Sequence, residues 1–496
     1  MKIIFIDPPF KIFTGFNNPL FALGLSYLSA VLNKNGYKAV VYEVDAINKN
    51  STTDMDFSHE HQKLELYKNA VNDSTNTVWR EILSTVSDYK PDIIGISVMT
   101  TKFASAIKTA NLLKHEFTDV PIIFGGPHAT LLPEQCLQVN SVDYVMRGES
   151  EKTILQFLEF FKGERNIPDV ESLSHRSSSG TIIHNELAKP IENLDEIPFP
   201  DRDSLLNIKN YSSEDMGLIM ATRGCPFNCS YCSHIFGRQL RKRSVENVLS
   251  EINFVAKKYG TIQFSFKDDT FTVDKKWITK FCEKIINERI KINWDCTTRV
   301  DTITDDLITS MKKAGCNDVR IGVETGSPDI LKKTNKGITF DQITSAVKIL
   351  NKNKILWTAY FMYGLPYETT QDIRDTIRFM REINPNYASL GLYSPFPGTD
   401  LFEEGINLGL LEINVGIDHF FSTNPKDYYF KDPTKRVKNL SPTEFNQIEN
   451  EVQTACSNHN KKMSNLIKRV LSRKDSYFSD PLLVVKDLKR GIKLFQ

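Results

Sequence analysis

Two long stretches of the chain alternate short apolar runs with segments whose apolar residues recur every three or four positions. Short unbroken apolar runs read as strands buried on both faces, and the longer period reads as amphipathic helix. In residues 1–165 the pattern predicts strands at Lys2–Asp7, Ala39–Val44, Ile93–Val98, Ile122–Phe124 and Val142–Met146. Helices are predicted at Phe21–Asn33, Trp79–Asp88, Ala104–His115, Glu134–Gln138 and Lys152–Phe161. Such alternation builds a parallel sheet covered on both faces, and ligands of such sheets sit beyond the carboxyl ends of the strands. From residue 217 the pattern repeats, with strands at Leu218–Arg223, Ile262–Phe266, Ile292–Thr297, Asp318–Val323, Trp357–Tyr363 and Ala388–Leu392. Helices follow the first five, at Val245–Lys258, Trp277–Arg289, Asp305–Ala314, Phe340–Asn351 and Thr370–Ile383. Six such units are fewer than a closed barrel needs, so a partial barrel is expected, open where another domain can close it.

The fold class is therefore α/β: a doubly wound sheet over residues 1–165, a connector over 166–210, a partial (β/α)6 barrel over 211–405 and a mainly helical region over 406–496. The connector is punctuated by Ser174–Gly180 and by the proline-rich Asn193–Asp201. Residues 46–78 are polar and read as a surface excursion, with His59 and His61 solvated rather than metal-bound.

A chain of 496 residues has room for two or three domains. Its 62 Lys and Arg against 61 Asp and Glu leave a net charge of +1, which gives no argument for a nucleic-acid or membrane partner. The basic run Arg238, Arg241, Lys242 and Arg243 reads as a solvated helix entry. The first apolar run stops at Asp7, Pro8 and Pro9, too short for a signal peptide or a membrane span, so a cytoplasmic protein without an integral membrane segment is expected. Cys136, Cys282, Cys296, Cys316 and Cys456 are scattered, as reduced core thiols are.

The other three cysteines carry the chemistry. Cys225, Cys229 and Cys232 stand in a C-x3-C-x2-C pattern after the first barrel strand. Thiolates are the usual ligands of iron–sulfur clusters, which take four; with no fourth Cys nearby, one iron is left for a small chelating molecule. A structural zinc site would need a second ligand pair, and none follows. The barrel strands end in Lys267–Phe271 (with Asp268 and Asp269), Arg299, Gly322–Ser327 (with Glu324, and Arg320 inside the strand), Gly364-Leu-Pro366 and Ser394–Thr399. One such charge alone is a solvated loop residue or a helix cap; together at the strand ends they outline a pocket. In the first half, the equivalent loops are Asp7-Pro-Pro, Ser97–Thr101, Gly125–Thr130 and Arg147–Glu151, which includes Gly148. Gly125 and Gly126 permit close backbone approach to a ligand. His128 reads as solvated or helix-capping.

The cysteine loop resembles the signature of radical S-adenosylmethionine (SAM) enzymes. The run from Asp7-Pro-Pro through Gly95–Thr101, Phe124–Thr130 and Val142–Glu149 resembles the cobalamin-binding domain that precedes many of them. The resemblance implies three cofactors: a [4Fe–4S] cluster on Cys225, Cys229 and Cys232, SAM on the fourth iron, and cobalamin. It implies Tyr231 near the adenine, Asp268 or Asp269 on the SAM ammonium, and Glu324 on the ribose hydroxyls or ammonium. Arg320 and Gly364 fall in segments that match the family's SAM site. Ser97, Gly125, Gly126 and Gly148 fall in loops that would line the cobalamin tail. No D-x-H-x-x-G loop follows the first strand, so no histidine is expected on cobalt. The activity implied is methylation of an unactivated carbon or phosphorus of a small molecule, fed by an electron donor such as flavodoxin or ferredoxin. Ring formation by an oxidative cyclase is the alternative, and a corrinoid sensor or carrier the third.

Overall fold

The buried apolar runs become the strands of two separate parallel sheets. The computed structural model describes residues 1–15, 21–46 and 60–472, together with Tyr477 and Val484. These divide into two compact units, one reaching to Met216 and taking in Asn414–Tyr428, the other running over Gly217–Ile413 and from Tyr429 on.

In the first unit β1 (Lys2–Asp7), β2 (Lys38–Glu43), β3 (Ile93–Ser97), β4 (Ile122–Gly125) and β5 (Tyr144–Met146) form a parallel sheet in the order β2-β1-β3-β4-β5. Ile3, Ile4, Ile6, Ile93 and Ile94 have no exposure. Full burial of each such side chain stabilises by about 1.5–3 kcal/mol. The segment 166–210 adds β6 (Leu173–Arg176) and β7 (Ile182–His184), antiparallel, to the β5 edge. The polar excursion contains a helix, Glu60–Asn72, whose Leu64, Tyr67 and Val71 are buried. His59 lies outside the described residues, as does the side chain of His61. Phe420, from the later segment Asn414–Tyr428, meets Phe103 edge-on at 4.8 Å.

The second unit opens with β8 (Leu218–Ile219), then a two-stranded antiparallel ribbon of β9 (Thr222–Arg223) and β10 (Arg241–Lys242). β11 (Gln263–Phe266), β12 (Asn293–Thr298), β13 (Cys316–Glu324), β14 (Leu356–Tyr363) and β15 (Tyr387–Leu392) follow, and the six-stranded parallel sheet runs in simple sequence order from β8 to β15. Local signals set the helices between them. Ser244 accepts a hydrogen bond from Asn247 N to cap Val245–Tyr259, which ends at Gly260 in the left-handed region. Thr369 and Asp372 form a capping box for Thr370–Ile383. Phe266, Phe271, Trp277, Phe281 and Trp294 pack ring on ring beneath β11 and β12. Cys136, Cys282, Cys296 and Cys316 are buried and free, as expected of core thiols; Cys456 is half-buried. Among the described residues no helix is long and apolar enough to cross a membrane.

Candidate functional site

The ribbon of β9 and β10 carries the cysteine loop. Gly224 starts it at φ +86, and a Cβ there would lie 2.3 Å from the Gln239 carbonyl, so only glycine closes the loop. The loop is pinned from three sides. Cys225 N donates to Gly237 O at 3.3 Å, Ser230 N to Thr334 O at 2.9 Å, and Leu401 N to Ser230 O at 2.8 Å. Arg299 lies over the Phe227 ring at 3.6 Å, points Nη1 at Cys229 Sγ at 3.7 Å, and is held by Asp301 at 2.8 Å and by the Lys336 carbonyl at 2.6 Å. The Cys225 sulfur is 3.8 Å from Thr270 Oγ1. Protein packed around Cys232, then the charges of Asp269, Cys229 and Cys225, push its thiol up to about 11. Cys225 and Cys229 are thus close enough for their charge to reach Cys232.

No three His, Cys, Asp or Glu side chains among the described residues converge on a point that would hold one metal ion. A cluster instead spreads its thiolates over separate irons, and its positive charge relieves the repulsion among them. The donor set therefore suits a cluster and not a mononuclear site.

Around this loop the remaining strand ends fall into two groups. Tyr231 and Glu324 meet: the tyrosine hydroxyl donates to Glu324 Oε1 at 2.9 Å. Lys336 makes an ion pair with the same oxygen and approaches the Tyr231 hydroxyl at 3.4 Å. Burial, then the charge of Glu324, holds the Tyr231 phenol well above its ordinary range. Glu324 sits at φ +71, a left-handed conformation that costs a non-glycine residue about 1 kcal/mol or more. Gly322 makes room for it, since a Cβ there would come within 2.3 Å of both Glu324 Oε1 and Lys336 Nζ. Asp269 is exposed beside Cys232. Asp268 instead turns inward. It accepts bonds from Thr222 N at 2.5 Å, Thr222 Oγ1 at 2.6 Å and Ala221 N at 3.3 Å, fastening β9 to the end of β11. Burial nevertheless pushes it up to about 6.

The second group lies elsewhere. Arg320 stands mid-strand, bonded to Asp295 at 2.6 Å. Gly364, at φ +81, turns the chain at the end of β14, where its N–H and that of Leu365 donate to the buried Glu368 at 2.6 and 2.9 Å. The basic run after the loop divides: Arg238 and Lys242 are exposed as expected, but Arg241 and Arg243 are buried, and Arg243 pairs with buried Glu251 at 2.5 Å.

In the first unit Ser97 and Gly125 pair as the last residues of β3 and β4, and Gly126 and Gly148 follow the ends of β4 and β5. Thr130, which the sequence pattern alone did not single out, ties them: its hydroxyl donates to Gly126 O at 2.9 Å and accepts from Gly148 N at 2.9 Å. A Cβ on Gly126 would sit 3.1 Å from the Val98 backbone, so this glycine serves the loop's own packing. Gly148 has nothing within 4 Å of a Cβ position, and Gly125 only Met146 O at 3.8 Å. Bare backbone therefore faces open space, a cradle that suits the tail of a corrinoid. His128 is not solvated: it is buried, 4.2 Å from the Phe103 ring centroid and 3.2 Å from Thr100 Oγ1, and burial pushes it down to about 3. The loop after β1 carries no histidine. Asp7 there pairs with Lys102 at 2.6 Å, and Asp45 accepts the amides of Phe10 and Ile12 at 2.8 and 3.1 Å.

Residues 12–158 match the B12 binding domain and residues 219–380 the Radical SAM superfamily. An uncharacterized methyltransferase of Pyrococcus horikoshii is 31% identical over 458 residues, 90% of each chain. The chain belongs to the cobalamin-dependent radical SAM enzymes. The cofactors of that family are a [4Fe–4S] cluster, SAM and cobalamin. An anaerobic magnesium-protoporphyrin IX monomethyl ester cyclase of Rubrivivax gelatinosus is 30% identical over 77% of this chain and 65% of its own. A radical SAM methyltransferase of Kitasatospora setae, solved with cobalamin and a [4Fe–4S] cluster, shares the fold with a TM-score of 0.63 at 15% identity, over 84% of this chain and 76% of its own.

Proposed function

We propose that this radical SAM enzyme is a methyltransferase acting on an unactivated carbon, or phosphorus, of a small molecule. The observation that carries methyl transfer is the span of the match: the Pyrococcus methyltransferase aligns over 90% of both chains. The cyclase relative aligns over only 65% of its own length, but its 30% identity favours ring formation as the second reading.

In this reading Cys225, Cys229 and Cys232 bind three irons and leave the fourth to SAM, while Ser97, Gly125 and Gly148 border the cobalamin tail. When bound, these groups supply a one-electron cleavage of SAM to a 5′-deoxyadenosyl radical and a methyl donor on cobalt. Arg299 offsets thiolate charge at Cys229. Tyr231 stays protonated and, with Leu365 and Leu401 packed near it, keeps water from the adenine side. Glu324, held by Lys336, would meet the ribose hydroxyls or ammonium of SAM. Asp269 takes the ammonium in preference to Asp268, whose carboxylate is engaged by backbone. A flavodoxin- or ferredoxin-type protein supplies the electron.

The test is anaerobic turnover with SAM carrying a deuterated methyl group and a small-molecule extract as substrate source. Methyl transfer to carbon predicts one 5′-deoxyadenosine and one S-adenosylhomocysteine per product, the product heavier by the labelled group. Deoxyadenosine without S-adenosylhomocysteine rejects methyl transfer in favour of ring formation.

A further inference from the structure

The last described helix, Met463–Ser472, is built inside out. A surface helix ordinarily turns its apolar stripe to the core and its charges to water. Here polar residues face the protein. Asn465 is 3% exposed and donates to Pro385 O at 3.3 Å. Arg469 donates to Asn460 O at 2.7 Å and lies 5.3 Å over the Tyr387 ring. The opposite side shows Met463, Ile467, Val470 and Leu471 at 61, 51, 54 and 62% exposure. Their spacing of four, three and one residues puts them on one stripe.

Charge indicates what covers the stripe. Lys462 and Lys468 are exposed near it. Residues 461–496 carry ten Lys and Arg against three Asp and no Glu, so the first 460 residues hold 52 basic against 58 acidic side chains. The overall charge of +1 conceals a basic end on an acidic chain. An apolar stripe within a cation-rich segment matches a surface that is apolar beneath an anionic layer. The acidic remainder would be repelled from such a surface, so that only this end approaches it. The helix packs beside Pro385 and Tyr387, at the start of β15, whereas the cysteine loop follows the carboxyl ends of the strands. Docking through it leaves the cysteine loop free.

We propose that helix Met463–Ser472, with Lys461, Lys462 and Lys468, is a peripheral docking surface for anionic lipid headgroups. The contact is reversible, because one short amphipathic helix buries little acyl chain.

The full-length protein is sedimented with vesicles of pure phosphatidylcholine, and with vesicles of phosphatidylcholine and phosphatidylglycerol in equal parts, at low and high salt. The expected result is co-sedimentation with the anionic vesicles alone, released by salt. Ile467→Glu with Leu471→Glu should stay in the supernatant with unchanged iron content and melting temperature. Should that variant fail to fold, Lys462→Gln with Lys468→Gln tests the charge alone and should weaken binding about thirtyfold. Wild type that ignores both vesicles overturns the proposal, as does binding that neither variant weakens. A lipid-free dimer that the glutamate variant splits would assign the stripe to a second copy. An Ile467→Cys thiol that reacts with maleimide only after residues 478–496 are removed would assign it to the chain's own end. Either result also overturns the proposal.

Discussion

Replacing Gly322 by alanine tests the geometry that joins the cysteine loop to β13. The added methyl would stand 2.3 Å from Glu324 Oε1 and 2.3 Å from Lys336 Nζ. Both are ends of flexible side chains, so the strand need not move and the ion pair must. The pair cannot relax into water, since the two side chains are 7 and 6% exposed. Tyr231 loses its acceptor at the same time. The cost lies between the roughly 1 kcal/mol of one hydrogen bond and the roughly 3–5 kcal/mol of a broken buried pair. Lower unfolded-state entropy of alanine returns about 0.4–1 kcal/mol. The net loss should be about 2–3 kcal/mol, which lowers Tm by roughly 5–10 °C in a unit of this size. Gly391→Ala is the control: it is also a strand glycine, but its nearest neighbour to a Cβ is Phe361 O at 3.9 Å. Thermal unfolding of the two variants and equilibrium binding of SAM are the assays. Equal melting temperatures and equal SAM affinities for the two would refute the placement of Glu324 and Lys336 over Gly322.

Alanine at Cys225, Cys229 or Cys232 should abolish cluster content and SAM cleavage, with Cys136, Cys282, Cys296, Cys316 and Cys456 dispensable; full iron and sulfide in Cys229→Ala would contradict the cluster assignment. Gly125→Trp fills the open space beside Met146 O and should lower cobalamin retention, read from the absorbance of bound corrinoid, without a matching fall in Tm. Glu368 predicts a pH effect. Burial pushes it from its ordinary 4.5 up to about 8, against the two amides that favour the anion. Between those values the folded protein keeps a proton that the unfolded chain has released, so stability falls as pH rises through the window. Glu368→Gln cannot ionise, and its stability relative to wild type should rise from pH 5 to pH 8 in denaturant titrations; a constant difference would show that Glu368 is not buried as described.

What could be read from the sequence follows from which forces are local. The strands of the first sheet are legible as unbroken apolar runs, because burial on both faces leaves that mark, whereas barrel strands such as β11 and β13 alternate apolar with polar residues and are marked by that period of two. The cysteine loop was legible because its ligands lie seven positions apart at most. Lys336 was not legible: it reaches Glu324 from twelve residues on, after an intervening helix, and nothing in its neighbours sets it apart from a surface lysine. Lys102 and Thr130 are alike in this, each acting across two loops. Arg243 and His128 were misread for the converse reason. Polar residues default to the surface in a one-dimensional reading, yet Arg243 is neutralised by Glu251 one helical face away and His128 is enclosed by Phe103 and Thr100. The helix Glu60–Asn72 was overlooked within a polar stretch although Leu64, Tyr67 and Val71 keep the spacing of one buried face. The basic end of the chain was hidden by the near-zero total charge, an average that removes the asymmetry it is meant to detect.

β13 links these local and distant effects to the site. Along it Val319, Ile321 and Val323 are fully buried, while Asp318, Arg320 and Gly322 alternate on the other side. In a closed eight-stranded barrel that other side would be filled by layers of branched apolar residues. Here it carries charges: Arg320 bonds to Asp295 on β12, which also accepts from Ser265 on β11 at 2.6 Å. An interior held by polar contacts of this kind is left unpacked by apolar layers, and the one position without a side chain, Gly322, falls between the Arg320 pair and the Glu324 group. The strand thereby separates a paired polar floor from the chemistry at its end. The pairing register shifts at that point, between Gly322 and Glu324. A bulge there turns the final carboxylate out of the strand's alternation and toward Tyr231. The positive φ of Glu324 is the local cost of that turn, and the contact it makes possible, between the end of β13 and the cysteine loop, is the one on which the Gly322 prediction depends.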